Sequence, residues 1–244
     1  AKYFDLYPKE DVFLPKVRDN DLADVPPRGH YGIRKSWHKW VVENDEWRSA
    51  VSGYLASISF ADARVGRLLD ALDASPHAKK TIIVLWSDHG MHIGEKQQWE
   101  KFTLFEESTR VPFIVVAPKV TKPGSVCDRP VNLLDVYPTL NELCGLPERD
   151  DLDGVSLVPL LKSPKAAWDR PSITTWGKGN HSARGQRYKY VLHPNGEEQL
   201  YDHKNDPDEF TNLANRDELD KVKKRLGKWF PKTNAAPVRN KPTP

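Results

Sequence analysis

Apolar residues recur along positions 47–72 in alternating steps of four and three: Trp47, Val51, Tyr54, Ile58, Ala61, Val65, Leu68 and Leu72. That spacing lays one apolar stripe along a helix, and the stripe is expected to face the core. Asn44 or Asp45 stands where an N-cap is wanted, and Ser75-Pro76 follows the last stripe residue. The pattern then changes. Thr81–Trp86 is an unbroken apolar and β-branched run, and Val111–Ala117 repeats it. Short runs of this kind predict strands covered on both faces, as in a parallel sheet. Helical spacing returns at Leu133, Val136, Tyr137, Leu140 and Leu143, with Gly145 as the stop. Helix, strand, loop, strand, helix predicts an α/β layer architecture.

The flanking segments read differently. Residues 1–30 carry Pro8, Pro15, Pro26 and Pro27 without sustained periodicity, which predicts an extended lead-in. Tyr31–Trp40 is aromatic and basic. It reads as a surface loop held by its aromatics, or as a pocket wall for an anionic ligand. Beyond residue 165, Ser172–Trp176, Arg187–Leu192 and Gln199–Asp202 are short strand candidates split by Gly, Pro and Asn, predicting a small antiparallel sheet. Residues 217–230 predict a final helix with Leu219, Val222, Leu226 and Trp229 inward. Its Lys221, Lys223, Lys224, Arg225 and Lys228 read as a solvated face rather than a nucleic-acid patch. The tail from Pro231 to Pro244 reads as loose. The chain thus divides into 1–165 and a smaller C-terminal subdomain, 166–244.

Composition narrows the function classes. With 37 basic and 34 acidic residues, the net charge of +3 argues against a nucleic-acid binder. Eight tryptophans and 38% hydrophobic residues argue against wholesale disorder. No apolar stretch approaches the roughly 20 residues of a membrane-spanning helix. Cys127 and Cys144 lack zinc-ligand spacing and read as two buried thiols or one bridge. The chain begins Ala-Lys-Tyr and its only methionine is Met91, so it reads as a processed chain or a fragment.

The chemistry lies after the first strand, in Ser87-Asp88-His89-Gly90. Ligands of open α/β sheets bind at the carboxyl ends of strands. Asp88 offers a hard oxygen and His89 a nitrogen, a pair suited to a divalent cation, and Gly90 allows a sharp turn. Taken alone, the stretch favours Asp88 as a turn cap and His89 as a satisfied surface residue. Residues 94–112 follow with Gly94-Glu95, Trp99-Glu100-Lys101 and Glu107-Ser108-Thr109-Arg110-Val111-Pro112. This passage resembles the sulfatase family of the alkaline-phosphatase-like superfamily. So do Asp153–Leu161, with Asp-Gly-Val-Ser-Leu-Val-Pro-Leu-Leu, and Leu200-Tyr201-Asp202 with Asp206-Pro207-Asp208-Glu209 and Asn212-Leu213-Ala214. The opening Phe4–Pro8 and the helix end Val65–Leu69 are similar to iduronate-2-sulfatases in particular.

The resemblance implies part of an α/β/α sandwich and a sulfuric ester hydrolase acting on sulfated uronic acids or polysaccharides. It implies Asp88 and His89 as ligands of one Ca²⁺ and Lys101 as the catalytic, sulfate-contacting lysine; His92 receives no role and reads as a loop residue. A fixed cation and an ammonium stabilise charge that grows on sulfate oxygens during S–O cleavage. It also implies an exported protein. The family's Cys- or Ser-x-Pro-x-Arg motif, source of the formylglycine nucleophile, does not occur in the chain; the nearest string is Thr121-Lys122-Pro123-Gly124-Ser125. The expectation is a C-terminal half whose missing N-terminal half brings the nucleophile. The alternatives are a phosphonate monoester hydrolase or phosphodiesterase of the same superfamily, and a non-catalytic truncated chain.

Overall fold

The computed structural model describes residues 2–235. The lead-in has no regular strand, but it is anchored: Val12, Leu22 and Val25 are buried. The aromatic-basic stretch is not a loop. It forms helix α1, Lys35–Glu43, closed by a Lys39–Glu43 ion pair one turn apart. Trp37, Trp40 and Val41 of α1 line one wall of a cavity completed by Tyr54 and Trp99.

Helix α2 spans Trp47–Asp73, as the stripe predicts. Neither Asn44 nor Asp45 caps it; the N-cap is Glu46, and Asp45 instead takes a positive φ at the turn between the helices. The stripe is buried only near its start. Val51 is enclosed, whereas Ile58 is 48% and Leu68 70% exposed.

Strand β1, Ile83–Trp86, is followed by the short hairpin of β2, His92–Ile93, and β3, Trp99–Glu100. A single turn, α3 (Glu106–Thr109), leads into β4, Phe113–Val116. The expected parallel arrangement is not formed. β1 and β4 pair antiparallel, Ile83 opposite Val116 and Trp86 opposite Phe113. A parallel pair needs a crossover, usually a full helix, between its strands. Residues 87–112 offer only a hairpin and one helical turn, so the chain comes back the way it went. Trp86, Ile114 and Val116 stay about half exposed, so this sheet is not covered on both faces.

Helix α4, Val136–Leu143, is preceded by a capping box in which Asn132 and Asp135 satisfy each other's backbone amides, and Gly145 ends it at φ 67°. After α5, Val158–Lys162, four antiparallel strands follow in sequence order: β5 (Ser172–Thr175), β6 (His181–Arg184), β7 (Tyr188–Leu192) and β8 (Glu198–Asp202). β6 is the strand that periodicity missed. Helix α6, Asp220–Gly227, packs its Leu226 and Val222 on Ala183, Tyr190 and Leu200 of this sheet. Trp229 does not turn inward as expected. It remains 38% exposed beneath Arg170, and Phe230 stacks on Tyr190 in its place. The tail is tied at Asn234, which bonds His181 at 2.9 Å; residues 236–244 lie outside the described region. Cys127 and Cys144 are free, and both are exposed rather than buried. Among the described residues, no helix is long and apolar enough to cross a membrane.

Candidate active site

The turn after β1 is held by its own backbone. Ser87 Oγ donates to the His89 carbonyl at 2.8 Å, and Gly90 N–H donates to the Ser108 carbonyl of α3 at 2.9 Å. Gly90 is needed for this close approach and not for a left-handed φ. A Cβ there would stand 1.9 Å from the Glu107 carbonyl oxygen. The turn therefore leans directly on α3, and Asp88 and His89 project from it into a cleft of about 990 Å³.

Asp88 is largely solvent-facing, while the His89 side chain is 30% exposed. His89 Nδ1 lies 2.7 Å from the Gly90 carbonyl. A carbonyl only accepts, so Nδ1 carries the proton and Nε2 presents its lone pair to the cleft. The Lys101 ammonium donates to that lone pair at 2.6 Å. Asp88 Oδ1 stands 3.7 Å from the same nitrogen, beyond a hydrogen bond. Two donors that far apart can share one cation held at about 2.3–2.6 Å from each. A hard oxygen beside an oriented imidazole has the donor types that suit a divalent cation.

Lys101 reaches the cleft through a strained loop. Glu100 and Phe102, on either side of it, both have positive φ, 69° and 70°. Such backbone costs of order 1 kcal/mol or more per residue and persists only where surroundings impose it. The imposing group is Gln98, fully buried. Its amide donates to the Lys101 carbonyl at 2.7 Å and its oxygen accepts from Arg34 N–H at 2.6 Å. Trp99 anchors the hairpin edge-on against Trp47. Trp47 in turn donates to the Ile93 carbonyl at 2.7 Å and covers Gly94, where a Cβ would meet its ring at 2.2 Å. The first residue of α2 thus clamps the hairpin that carries Lys101.

His92 is not a loop residue. It is enclosed on β2, bonded to Thr103 Oγ1 at 2.8 Å and to the Glu95 carbonyl at 3.2 Å. Burial lowers its pKa to about 4. It is a neutral brace across the hairpin.

Sequence reasoning missed a second cluster behind the cleft. Glu209 is fully buried, receives the Glu106 N–H at 2.9 Å and His203 Nε2 at 2.9 Å, and is ion-paired with the buried Lys189 ammonium 2.9 Å away. Burial alone would raise its pKa, but Lys189 and His203 overcome this and bring it to about 2. Its carbonyl also accepts from Lys96, which is itself buried against Asp21 at 2.8 Å. Glu106, His203 and Glu209 have the donor types of a metal site, all within 4.8 Å. The enclosed ammonium of Lys189 already supplies the positive charge there. The signal was present in the string Asp206-Pro207-Asp208-Glu209, but nothing in it announces a buried partner.

The sequence profile described as Sulfatase matches residues 2–146, and that described as N-sulphoglucosamine sulphohydrolase, C-terminal, matches residues 94–235. The chain belongs to the sulfatase family. A sulfatase of Formosa agariphila is 40% identical over 96% of this chain and 46% of its own length. A delta 4,5-hexuronate-2-O-sulfatase of Bacteroides thetaiotaomicron is 29% identical over 86% of this chain and 47% of its own length. Among solved structures, a 2-O GAG sulfatase is similar with a TM-score of 0.69 at 27% identity, over 87% of this chain and 50% of that one. A phosphonate monoester hydrolase from Silicibacter pomeroyi reaches a TM-score of 0.79 at 23% identity, over 93% and 51% respectively, a likeness of fold. The chain has the α/β fold of these enzymes, and it spans about half the length of the curated relatives it matches.

Proposed function

We propose that this chain forms part of a sulfuric ester hydrolase acting on sulfated uronic acids of polysaccharides. In that reading Asp88 and His89 are ligands of a calcium ion and Lys101 binds the sulfate. The observation that carries it is the convergence of these three side chains on one cleft, with the His89 lone pair turned outward by the Gly90 carbonyl. A bound Ca²⁺ would supply fixed positive charge beside the sulfate oxygens. The chain's own part is to orient His89, to keep the Asp88 carboxyl within reach, and to hold the Lys101 ammonium at the same point. Were a cation held there, the Lys101 ammonium would be free to meet an anion in the cleft. The nucleophile is proposed to be a formylglycine on sequence beyond these 244 residues, in a protein exported from the cytosol. The uronic acid is supported by the likeness to hexuronate-2-O- and 2-O GAG sulfatases.

The test is Lys101→Ala in the complete polypeptide, assayed on an unsaturated hexuronate 2-sulfate disaccharide and on an aryl sulfate. An ammonium meeting charge that grows in the transition state contributes roughly 2–4 kcal/mol. The expected result is a fall in kcat/KM of about 10²–10³ with an unchanged melting temperature. Unchanged kcat/KM would return Lys101 to the role of a structural partner of His89 and remove the central support.

A further inference from the structure

We propose that the outer face of α6 is a binding site for a sulfated polysaccharide chain, separate from the catalytic cleft; this rests on the sulfated-polysaccharide reading above. The observation is where the charge lies. Residues 216–232 hold seven basic and three acidic side chains. The other 227 residues hold 30 basic and 31 acidic. The whole positive excess of the protein is therefore concentrated in one short segment, the pattern expected of a polyanion-binding face.

The fold sorts these charges. Leu219, Val222, Leu226 and Phe230 pack against the β5–β8 sheet, so the opposite side of the helix faces solvent. Lys221, Lys224, Arg225 and Lys228 fall at i, i+3, i+4 and i+7 on that side, along about 10 Å of helix, and all four are exposed. Among the described residues, none of the four has an acidic partner within ion-pair distance. Lys223 shows the contrast. It turns aside to Glu198 at 3.0 Å, Asp220 at 3.2 Å and the Ala214 carbonyl at 2.8 Å, and is mostly buried. Lys232, also exposed, continues the positive face beyond the helix.

The buried side of the helix packs beside the rim of the cleft. Leu226 of α6 lies against Gly185, where a Cβ would be 3.1 Å from its Cδ2. Gly185 separates Arg184 and Gln186, both of which line the cleft, and Gln186 bonds Arg129 on the cleft's other wall. The four exposed cations of the outer face offer successive contacts to a polyanionic chain. Each such contact releases counterions, so binding here has a steep dependence on salt.

The experiment uses the complete polypeptide and heparin, and reads binding rather than turnover. Its outcome is thus independent of whether the complete polypeptide hydrolyses sulfate esters. Wild type is compared with Lys221→Gln/Lys224→Gln/Arg225→Gln/Lys228→Gln. The control is Lys119→Gln/Lys122→Gln/Lys162→Gln/Lys165→Gln, which removes equal charge from exposed positions elsewhere. The α6 set is expected to lower heparin affinity by more than about tenfold and the slope of log affinity against log salt by about three. A set in which the three lysines become arginine should retain binding, and melting curves establish that every variant is folded. Equal losses in the two glutamine sets would overturn the proposal. So would wild-type affinity for single-stranded DNA of matched charge equal to that for heparin.

Discussion

Glu107 places its carboxyl on α3 with one oxygen enclosed and without a hydrogen-bond partner. Burial, reinforced by the charge of Glu209, pushes its pKa up to about 8. A carboxyl raised in the folded state favours folding in its protonated form. Its stabilising effect is full below the unfolded pKa, near 4.5, and is lost as pH rises through 8. His92 has the opposite sign: its pKa is lowered, so its effect is lost as pH falls from about 6.5 toward 4. The two oppose each other in mild acid, and above pH 6.5 Glu107 acts alone of the pair. Unfolding free energy should therefore fall by about 2 kcal/mol between pH 6.5 and 8, and Glu107→Gln should flatten that slope in urea titrations. A slope unchanged in the variant would show that Glu107 is ionised in the fold without penalty. Asp88 and His89 stood out as candidates because they are adjacent after a strand, and Lys101 because its surroundings resemble a family passage. Glu107, Gln98 and Glu209 owe their character to partners that are distant in sequence or to burial, and neither is written beside them.

Two glycines at the element scale make opposite predictions for one substitution. Gly90 is pressed on the backbone of α3, so a methyl there must displace the turn that carries Asp88 and His89. Overpacking of this kind costs about 1–3 kcal/mol or more, and Gly90→Ala should lower the melting temperature by several degrees. Gly66 lies inside α2, and a Cβ added there would have nothing within 4 Å. Gly66→Ala should stabilise by about 0.5–1 kcal/mol, because alanine loses less backbone freedom in a helix. A single thermal melt of each variant checks both signs. The 3.6-residue period identified α2 and α4 because long periodic segments average out local exceptions. It missed β6 because His181-Ser182-Ala183-Arg184 has neither β-branched residues nor clear alternation; two neighbouring strands hold it in place. It missed α1 because Pro and aromatic content in the flanks masked one short amphipathic turn pattern.

For the whole molecule, the arrangement predicts that these 244 residues alone do not turn over an aryl sulfate even with added Ca²⁺. The chain contains no Cys- or Ser-x-Pro-x-Arg motif. Loss of a covalent nucleophile removes several orders of magnitude of rate. Turnover above the buffer blank would mean that another residue of the cleft serves as nucleophile. The amino-acid sequence by itself determined the α/β class, the long helix, three of the four C-terminal strands and the Asp-His-Lys candidates. Each of these is carried by short-range periodicity, by adjacent residues or, for the lysine, by resemblance to a family passage. Only the tertiary structure decided the antiparallel direction of β4, the burial of Lys96, Lys189 and Glu209, the tautomer of His89 and the strained approach of Lys101. Those depend on which surfaces meet after residues far apart in sequence come together, and on the desolvation that follows.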